Sequence, residues 1–289
     1  MRTASRGRLR LADRFALSGA RKDLPIQLFD HLDEVAGIVR TPRLGLIVDF
    51  DGTISELNPI PDAAIIDLRC ADALRSLVPK TALVAVLSGR AVRDVASHAG
   101  LDDVWYVGNH GAEYIRDGVY EAGPGADAAR ESLESVVGHV GSVADDPAFI
   151  WEDKQFSVSV HYRRAENPDS ARRMLQAGLD SVPNLDGLDV FWGNRILEIR
   201  GRTGLNKGHA VRQIVAERSL SAVVFIGDDT TDIDGIRAAI EMRDAGELKA
   251  VGIAVARPES PDALIELADY TVSSVADVAR FLGWLTTAI

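Results

Sequence analysis

Apolar residues along this chain fall into two kinds of pattern. Five short runs are continuously apolar, at 44–48, 82–87, 104–107, 222–226 and 250–255. Runs of this length, stopped by Gly or a polar residue, read as strands buried on both faces. Between them apolar residues recur at helical spacing, near 27–39 (Leu28, Leu32, Val35 and Val39), 62–78, 90–98, 206–217 and 231–241. Strand alternating with helix implies right-handed βαβ units and a parallel, Rossmann-like α/β sheet.

The middle of the chain breaks this rhythm. Residues 114–120 read as a hairpin with Asp117-Gly118 at its turn. A helix is expected near 126–141 and another near 169–181. Residues 157–163 alternate apolar and polar, as a half-exposed strand does, and further strands are expected near 188–192 and 195–200. The pattern therefore predicts a parallel-sheet core domain at 27–112 and 201–289, interrupted by an inserted α/β cap at 113–200. The alternating strands give the cap an antiparallel sheet with one open face, suited to act as a lid.

Composition narrows the possibilities. The chain has 289 residues and a formal net charge of −11. That length permits a large core, and the acidity argues against nucleic acid as the partner, which needs a basic face. The only cysteine, Cys70, sits in a helical apolar pattern and reads as a small buried hydrophobe. With no disulfide possible, a reducing cytoplasm is expected. No apolar run approaches the roughly 18 residues that span a bilayer, so no membrane role is expected. The first 22 residues carry seven basic residues and one acid, without an apolar segment, and 1–26 are expected to be a disordered basic leader. No surface stripe indicates an oligomeric state.

The chemistry lies where the strands stop. Asp49 and Asp51 follow the first run, Ser88 the second, and Asp228 and Asp229 the fourth. In open parallel sheets ligands bind beyond the carboxyl ends of the strands, so these groups should converge. Asp49 and Asp51 are two apart and would share a side in an extended chain. Close carboxylates repel unless a cation lies between them, and hard oxygen ligands suit Mg²⁺. Thr53, Ser88, the backbone N–H of Gly89 and Lys207 could hold an anion nearby. Each residue alone is most simply a turn, a cap or a solvated charge; several strand ends carrying matching groups together describe phosphoryl transfer.

Asp49-Phe50-Asp51-Gly52-Thr53, Ser88, Lys207 and Gly227-Asp228-Asp229 with Asp232 resemble, in order and placement, the four motifs of the haloacid dehalogenase superfamily. Leu87-Ser88-Gly89-Arg90, Gly108-Asn109-His110-Gly111-Ala112-Glu113, Glu152-Asp153-Lys154, His161-Tyr162-Arg163 and Gly227 to Asp232 look further like the trehalose-6-phosphate phosphatase family. The resemblance runs over nearly all of 43–285. One departure is Ile233, where the family usually has another acid.

That resemblance implies roles. Asp49 would be the nucleophile that forms an aspartyl-phosphate. Asp51 would be general acid and then general base. Mg²⁺ would be held by Asp49, the backbone carbonyl of Asp51 and Asp228, with Asp229 or Asp232 in support. Thr53, Ser88, Gly89 and Lys207 would hold the phosphoryl oxygens. The substrate would be trehalose 6-phosphate, with Arg90, Asn109, His110, Glu113, Lys154, His161, Arg163, Glu198 and Arg200 around the sugar. Alternatives stay open at this point: another sugar-phosphate phosphatase acting on sucrose phosphate, a mannosyl phosphoglycerate or a hexose phosphate; a phosphomutase; or, outside enzymes, a sugar-phosphate-binding or receiver-like module.

Overall fold

The structure is a computed structural model that describes residues 26–58, 60–124, 126–153, 156–193, 195–201 and 204–289. The expected leader therefore lies outside the described residues except for Ile26, as does Lys154. In chain order the strands are β1 (Leu44–Val48), β2 (Leu83–Leu87), β3 (Trp105–Gly108), β4 (Glu113–Arg116), β5 (Val119–Ala122), β6 (Ile150–Asp153), β7 (Ser157–His161), β8 (Leu188–Gly193), β9 (Ile196–Gly201), β10 (Ala222–Gly227), β11 (Lys249–Val255) and β12 (Tyr270–Val272). The α-helices are α1 (Leu32–Val39), α2 (Leu68–Leu77), α3 (Val92–Ala99), α4 (Ala126–Val143), α5 (Pro168–Asp180), α6 (Lys207–Arg218), α7 (Asp232–Asp244), α8 (Asp262–Leu267) and α9 (Val275–Ala288).

Eight strands form one sheet in the order β12-β11-β10-β1-β2-β3-β4-β5. The six from β12 to β3 are parallel, and β4 and β5 are antiparallel. The apolar runs are continuous because both faces are covered. Leu46 and Val48 of β1 pack on the side of α1, α2 and α9, with Leu74, Phe281 and Leu282. Ile47, one residue out of phase, packs on the other side with Val211 and Ile214 of α6 and Ile236 of α7. Burying side chains of this size stabilises by about 1.5–3 kcal/mol each, which is why the register of β1 is firmly set.

The second sheet has the order β6-β7-β9-β8 and is antiparallel throughout. Val158, Val160, Leu197 and Ile199 face α4 and α5, against Leu133, Val136, Val140 and Leu175. Their alternates, Ser157, Ser159, His161, Glu198 and Arg200, lie on the opposite face, as strand alternation dictates.

The hairpin expected at 114–120, in the inserted unit, is β4 and β5; β4 pairs with β3 and β5 with β4, so it extends the large sheet. By sheet membership the inserted unit begins after Ala122 and closes with β9. The expected elements did not include β6, α8, β12 or α9.

Candidate active site

β10, β1, β2 and β3 lie side by side, and the residues following them are Asp228, Asp49, Ser88 and Asn109. A cleft of about 700 Å³ opens over these ends. Asp49, Asp51, Ser88 and Asp228 line it beyond the strands of the large sheet, Lys207 from the start of α6, and Glu152 and Asp153 from the small sheet. The open face of the cap thus turns toward the strand ends.

Lys207 is buried at the base of the site. It opens α6, with Asn206 as the N-cap whose side chain accepts from the His209 N–H. A lysine in a first helical turn opposes the helix dipole, and this one is 2% exposed. Two carboxylates compensate: Nζ donates to Asp49 Oδ1 at 2.6 Å and to Asp232 Oδ1 at 2.7 Å. Burial alone would pull the ammonium's pKa down; Asp232 and Asp49 outweigh it and hold it above its ordinary value. The ammonium is therefore charged at neutral pH.

The carboxylates differ in what they have left to give. Asp232 Oδ1 is taken by Lys207, and Oδ2 accepts from the Asp228 and Asp229 backbone N–H groups at 3.0 Å each. Asp228 accepts from Thr53 Oγ1 at 3.3 Å and from Arg257 Nη1 at 2.8 Å. Asp49 Oδ2 has no hydrogen-bond partner among the described residues. Burial, then Asp232 and Asp228 beside it, push the Asp49 carboxyl well up despite Lys207. Burial and Asp232 push Asp228 up to about 6, against the pull of Arg257. One carboxylate oxygen from each of Asp49, Asp228 and Asp232 lies within 4.8 Å of the others. Buried, mutually repelling oxygen donors of this kind fit a hard cation. Asp232, saturated by its other bonds, suits the role of holding the set together.

Asp51 is engaged otherwise. Arg90 Nε and Nη2 donate to its two oxygens at 2.7 and 2.8 Å, and Arg90 Nη1 donates to Asp94 at 3.0 Å. Ser88 is buried, and its Oγ accepts from the Arg90 N–H at 3.1 Å. The helix expected near 90–98 runs from Val92 to Ala99, so the Ser88-Gly89 segment lies ahead of it and is not its N-terminus.

After β3 the chain makes three successive left-handed residues, Asn109, His110 and Gly111. This turn puts the His110 ring over Gly89, where a side chain's Cβ would come within 2.6 Å of it. Glu113 is wholly buried and accepts a short bond from Asn109 Nδ2. It lies beneath the turn and lines neither cavity. A second cavity of about 350 Å³ lies on the far side of His110 and Lys207, touched by Asn109, Arg200 and Asn206. On the cap face Arg200 Nη2 donates to Glu198 Oε1 at 3.0 Å, and His161 Nε2 lies 3.3 Å from Glu152 Oε2. Arg163 is exposed and lines neither cavity. Asp229 is exposed at the cleft, while Thr53 is buried behind Asp228.

His110 yields a pH prediction. Burial, aided by Lys207 and Arg200, lowers its pKa to about 3. The unfolded chain takes up this proton near pH 6.5 and the folded protein does not. Its contribution to stability is thus complete above pH 6.5 and declines as pH falls toward 3. His110→Asn, which tolerates the left-handed backbone, is expected to flatten the decline of unfolding free energy between pH 6.5 and 4. Parallel urea titrations of both proteins across that window check it; identical slopes would count against it.

Sequence reasoning missed two residues here. Arg257 lies two residues beyond the end of β11, so extending the strand-end rule to the residues just past the run at 250–255 finds it. Asp94 stands one helical turn beyond Arg90, the i,i+4 spacing of an ion pair.

A parallel sheet with this acidic strand-end cluster, interrupted by an α/β cap, has the haloacid dehalogenase fold. Over 93% of this chain and the whole of the other, it superposes on the C-terminal domain of Candida albicans trehalose-6-phosphate phosphatase with a TM-score of 0.67 and 22% identity. A family model described as trehalose-phosphatase matches residues 47–252, and the chain belongs to that family. It is 33% identical over 258 residues to a trehalose-phosphate phosphatase of Mycobacterium marinum, covering 86% of this chain and 63% of that one. It is 32% identical to an uncharacterised glycosyl hydrolase of Mycobacterium tuberculosis, covering 84% of this chain and 18% of that one. The chain thus spans less than two thirds of the length of these relatives. No helix among the described residues is long and apolar enough to cross a membrane.

Proposed function

We propose that this protein hydrolyses trehalose 6-phosphate to trehalose and inorganic phosphate through an aspartyl-phosphate. The observation that carries this reading is the state of Asp49, on the floor of a cleft whose opposite wall is the cap. One of its oxygens is fixed by Lys207 at 2.6 Å and the other is free among the described residues. That leaves a positioned carboxylate oxygen to attack phosphorus.

In the first step Asp49 Oδ2 bonds to phosphorus and the bond from phosphorus to the sugar oxygen breaks. Asp51 gives that oxygen its proton. In the second step Asp51 takes a proton from water, which attacks phosphorus, and Asp49 is released with phosphate. Arg90 now grips both Asp51 oxygens, so neither faces an arriving substrate. The acid role therefore requires Arg90 to turn from Asp51 toward the arriving phosphate, a ligand it can also hold in bidentate fashion. Lys207, with Ser88 and the Gly89 N–H, stabilises charge on the phosphoryl oxygens. Bound Mg²⁺, held by Asp49, Asp228 and the Asp51 carbonyl, would offset repulsion between the anionic nucleophile and the anionic substrate. Asp229 lies at hand in support.

For the sugar, the favoured groups are Asn109 and His110 on the core side and His161, Glu198 and Arg200 on the cap face. Glu152, which pairs with His161, joins them. A disaccharide of hydroxyls suits such a mixed polar surface better than a charged one.

Phosphate release from trehalose 6-phosphate, sucrose phosphate and glucose 6-phosphate, each with Mg²⁺, tests the proposal. A kcat/KM for trehalose 6-phosphate at least about a hundredfold above the others is expected. Release from the others with none from trehalose 6-phosphate would keep the core chemistry and remove the trehalose reading.

A further inference from the structure

Arg257 stands outside every motif singled out in the sequence, yet it is built into the centre of the acidic cluster. It follows β11, on the opposite side of β10 from β1, in a loop shaped by Ser260. Ser260 Oγ accepts from the Arg257 N–H at 3.0 Å and donates to Val255 O at 3.0 Å. The guanidinium is 12% exposed. It donates from Nη1 to Asp228 Oδ2 at 2.8 Å and from Nη2, by a short bond, to the Gly52 carbonyl. A single planar group thus ties the carboxylate beyond β10 to the turn that leaves β1.

The backbone of that turn is fitted to the pair. Gly52 has φ +76°, which favours glycine. A Cβ there would lie 2.1 Å from Asp228 Oδ2 and 2.8 Å from Arg257 Nη1. The ion pair therefore packs directly against the bare Cα of Gly52. Thr53 Oγ1 of the same turn holds the other Asp228 oxygen at 3.3 Å. Asp228 is thus clamped at both oxygens, on one side by Thr53 and on the other by Arg257, which itself binds Gly52.

We infer that Arg257 is a positioning residue for cation binding: it fixes Asp228 against the Gly52 turn so that Asp228 and Asp49 present their oxygens together. The inference rests on the reading of Asp49 and Asp228 as metal ligands. Its physical basis is the general dependence of metal sites on partners that orient their ligands. Without Arg257, Asp228 keeps only the long Thr53 contact and turns freely toward the cleft. Lysine restores the charge but cannot bridge two acceptors as a planar fork does.

The test is Mg²⁺ affinity of the full chain by titration calorimetry, with Mn²⁺ binding followed by electron paramagnetic resonance as a second probe. Arg257→Ala is expected to weaken Mg²⁺ binding about tenfold to a hundredfold, and Arg257→Lys by less. Turnover of the alanine variant should climb with Mg²⁺ to concentrations at which the unaltered protein is long saturated. That rescue separates metal positioning from a general loss of structure. If the alanine variant melts as the unaltered protein does and binds Mg²⁺ within twofold of it, or more tightly, the inference is overturned. If the alanine variant does not fold, lysine-variant affinity equal to that of the unaltered protein overturns it. If the unaltered protein binds neither Mg²⁺ nor Mn²⁺, the proposed metal reading fails first, and this inference with it.

Discussion

Replacing Asp49 by asparagine is expected to cut phosphate release from trehalose 6-phosphate by at least about a thousandfold while leaving the fold intact. Both halves follow from one geometry. Asparagine keeps the shape but has no anionic oxygen to offer phosphorus. Structurally little is lost, because Lys207 keeps its 2.7 Å bond to Asp232 and one buried negative charge leaves a crowded cluster. A change in unfolding free energy within about 1 kcal/mol is expected, since burial disfavours the very charge removed. Two measurements check this: turnover, and phosphate retained on acid-quenched protein after brief exposure to substrate. The unaltered protein should retain label and the variant none. More than a hundredth of normal turnover in Asp49→Asn would sink the nucleophile assignment.

Lys207→Ala is expected to fail in the complementary way, losing both activity and stability. The ammonium is the shared partner of two buried carboxylates, at 2.6 and 2.7 Å. Removing one member of a buried ionic set costs about 3–5 kcal/mol because the remaining charge is left uncompensated. The pH dependence has a definite sign. Since the folded pKa of Lys207 is raised, its contribution is fully present below its unfolded value of about 10.4 and is lost only as pH rises through the folded one. The deficit should therefore be constant between about pH 6 and 9. It should narrow toward acid, as the orphaned carboxylates take up protons. Denaturant titrations of the two proteins across this range, with metal removed, measure it. A deficit under about 1 kcal/mol at neutral pH would mean that the buried set is compensated elsewhere.

The sheet was legible because its strands are buried on both faces and so read as unbroken apolar runs; Ile47 and Leu46 serve opposite sides of the same strand. The strand-end rule then placed Asp49, Ser88 and Asp228 at one edge before any side chain was located. Shorter or less regular elements escaped. β6 is only Ile150–Asp153, half of it acidic, and β12 is three residues long. α9 was detectable in principle, since Ser274 caps it by accepting from the Asp277 N–H. The hairpin was recognised but not the sheet it joins, because turn chemistry specifies a hairpin without specifying its neighbour. The complete burial of Glu113 was hidden for a related reason: spacing from a turn does not tell which side of it a residue lies on. The division of labour among the acids came only from the family resemblance and not from spacing or pattern, because physically it depends on which oxygens Lys207, Arg257 and the backbone N–H groups have already taken.

The pairing of β1 also bears on the order in which the protein is made. β1 pairs with β2 on one side, but on the other Leu44 meets Ala222 and Val48 meets Ile226. During synthesis from the N-terminus, that second edge of β1 must wait until the whole inserted unit and α6 have emerged. The inserted unit has no such wait, since β6 to β9 pair only with one another, and contacts close in sequence form early. Lys207 also precedes Asp228 and Asp232 in the chain. The cation that neutralises the cluster is therefore already in hand when its last two carboxylates arrive, and the acids never have to converge without it.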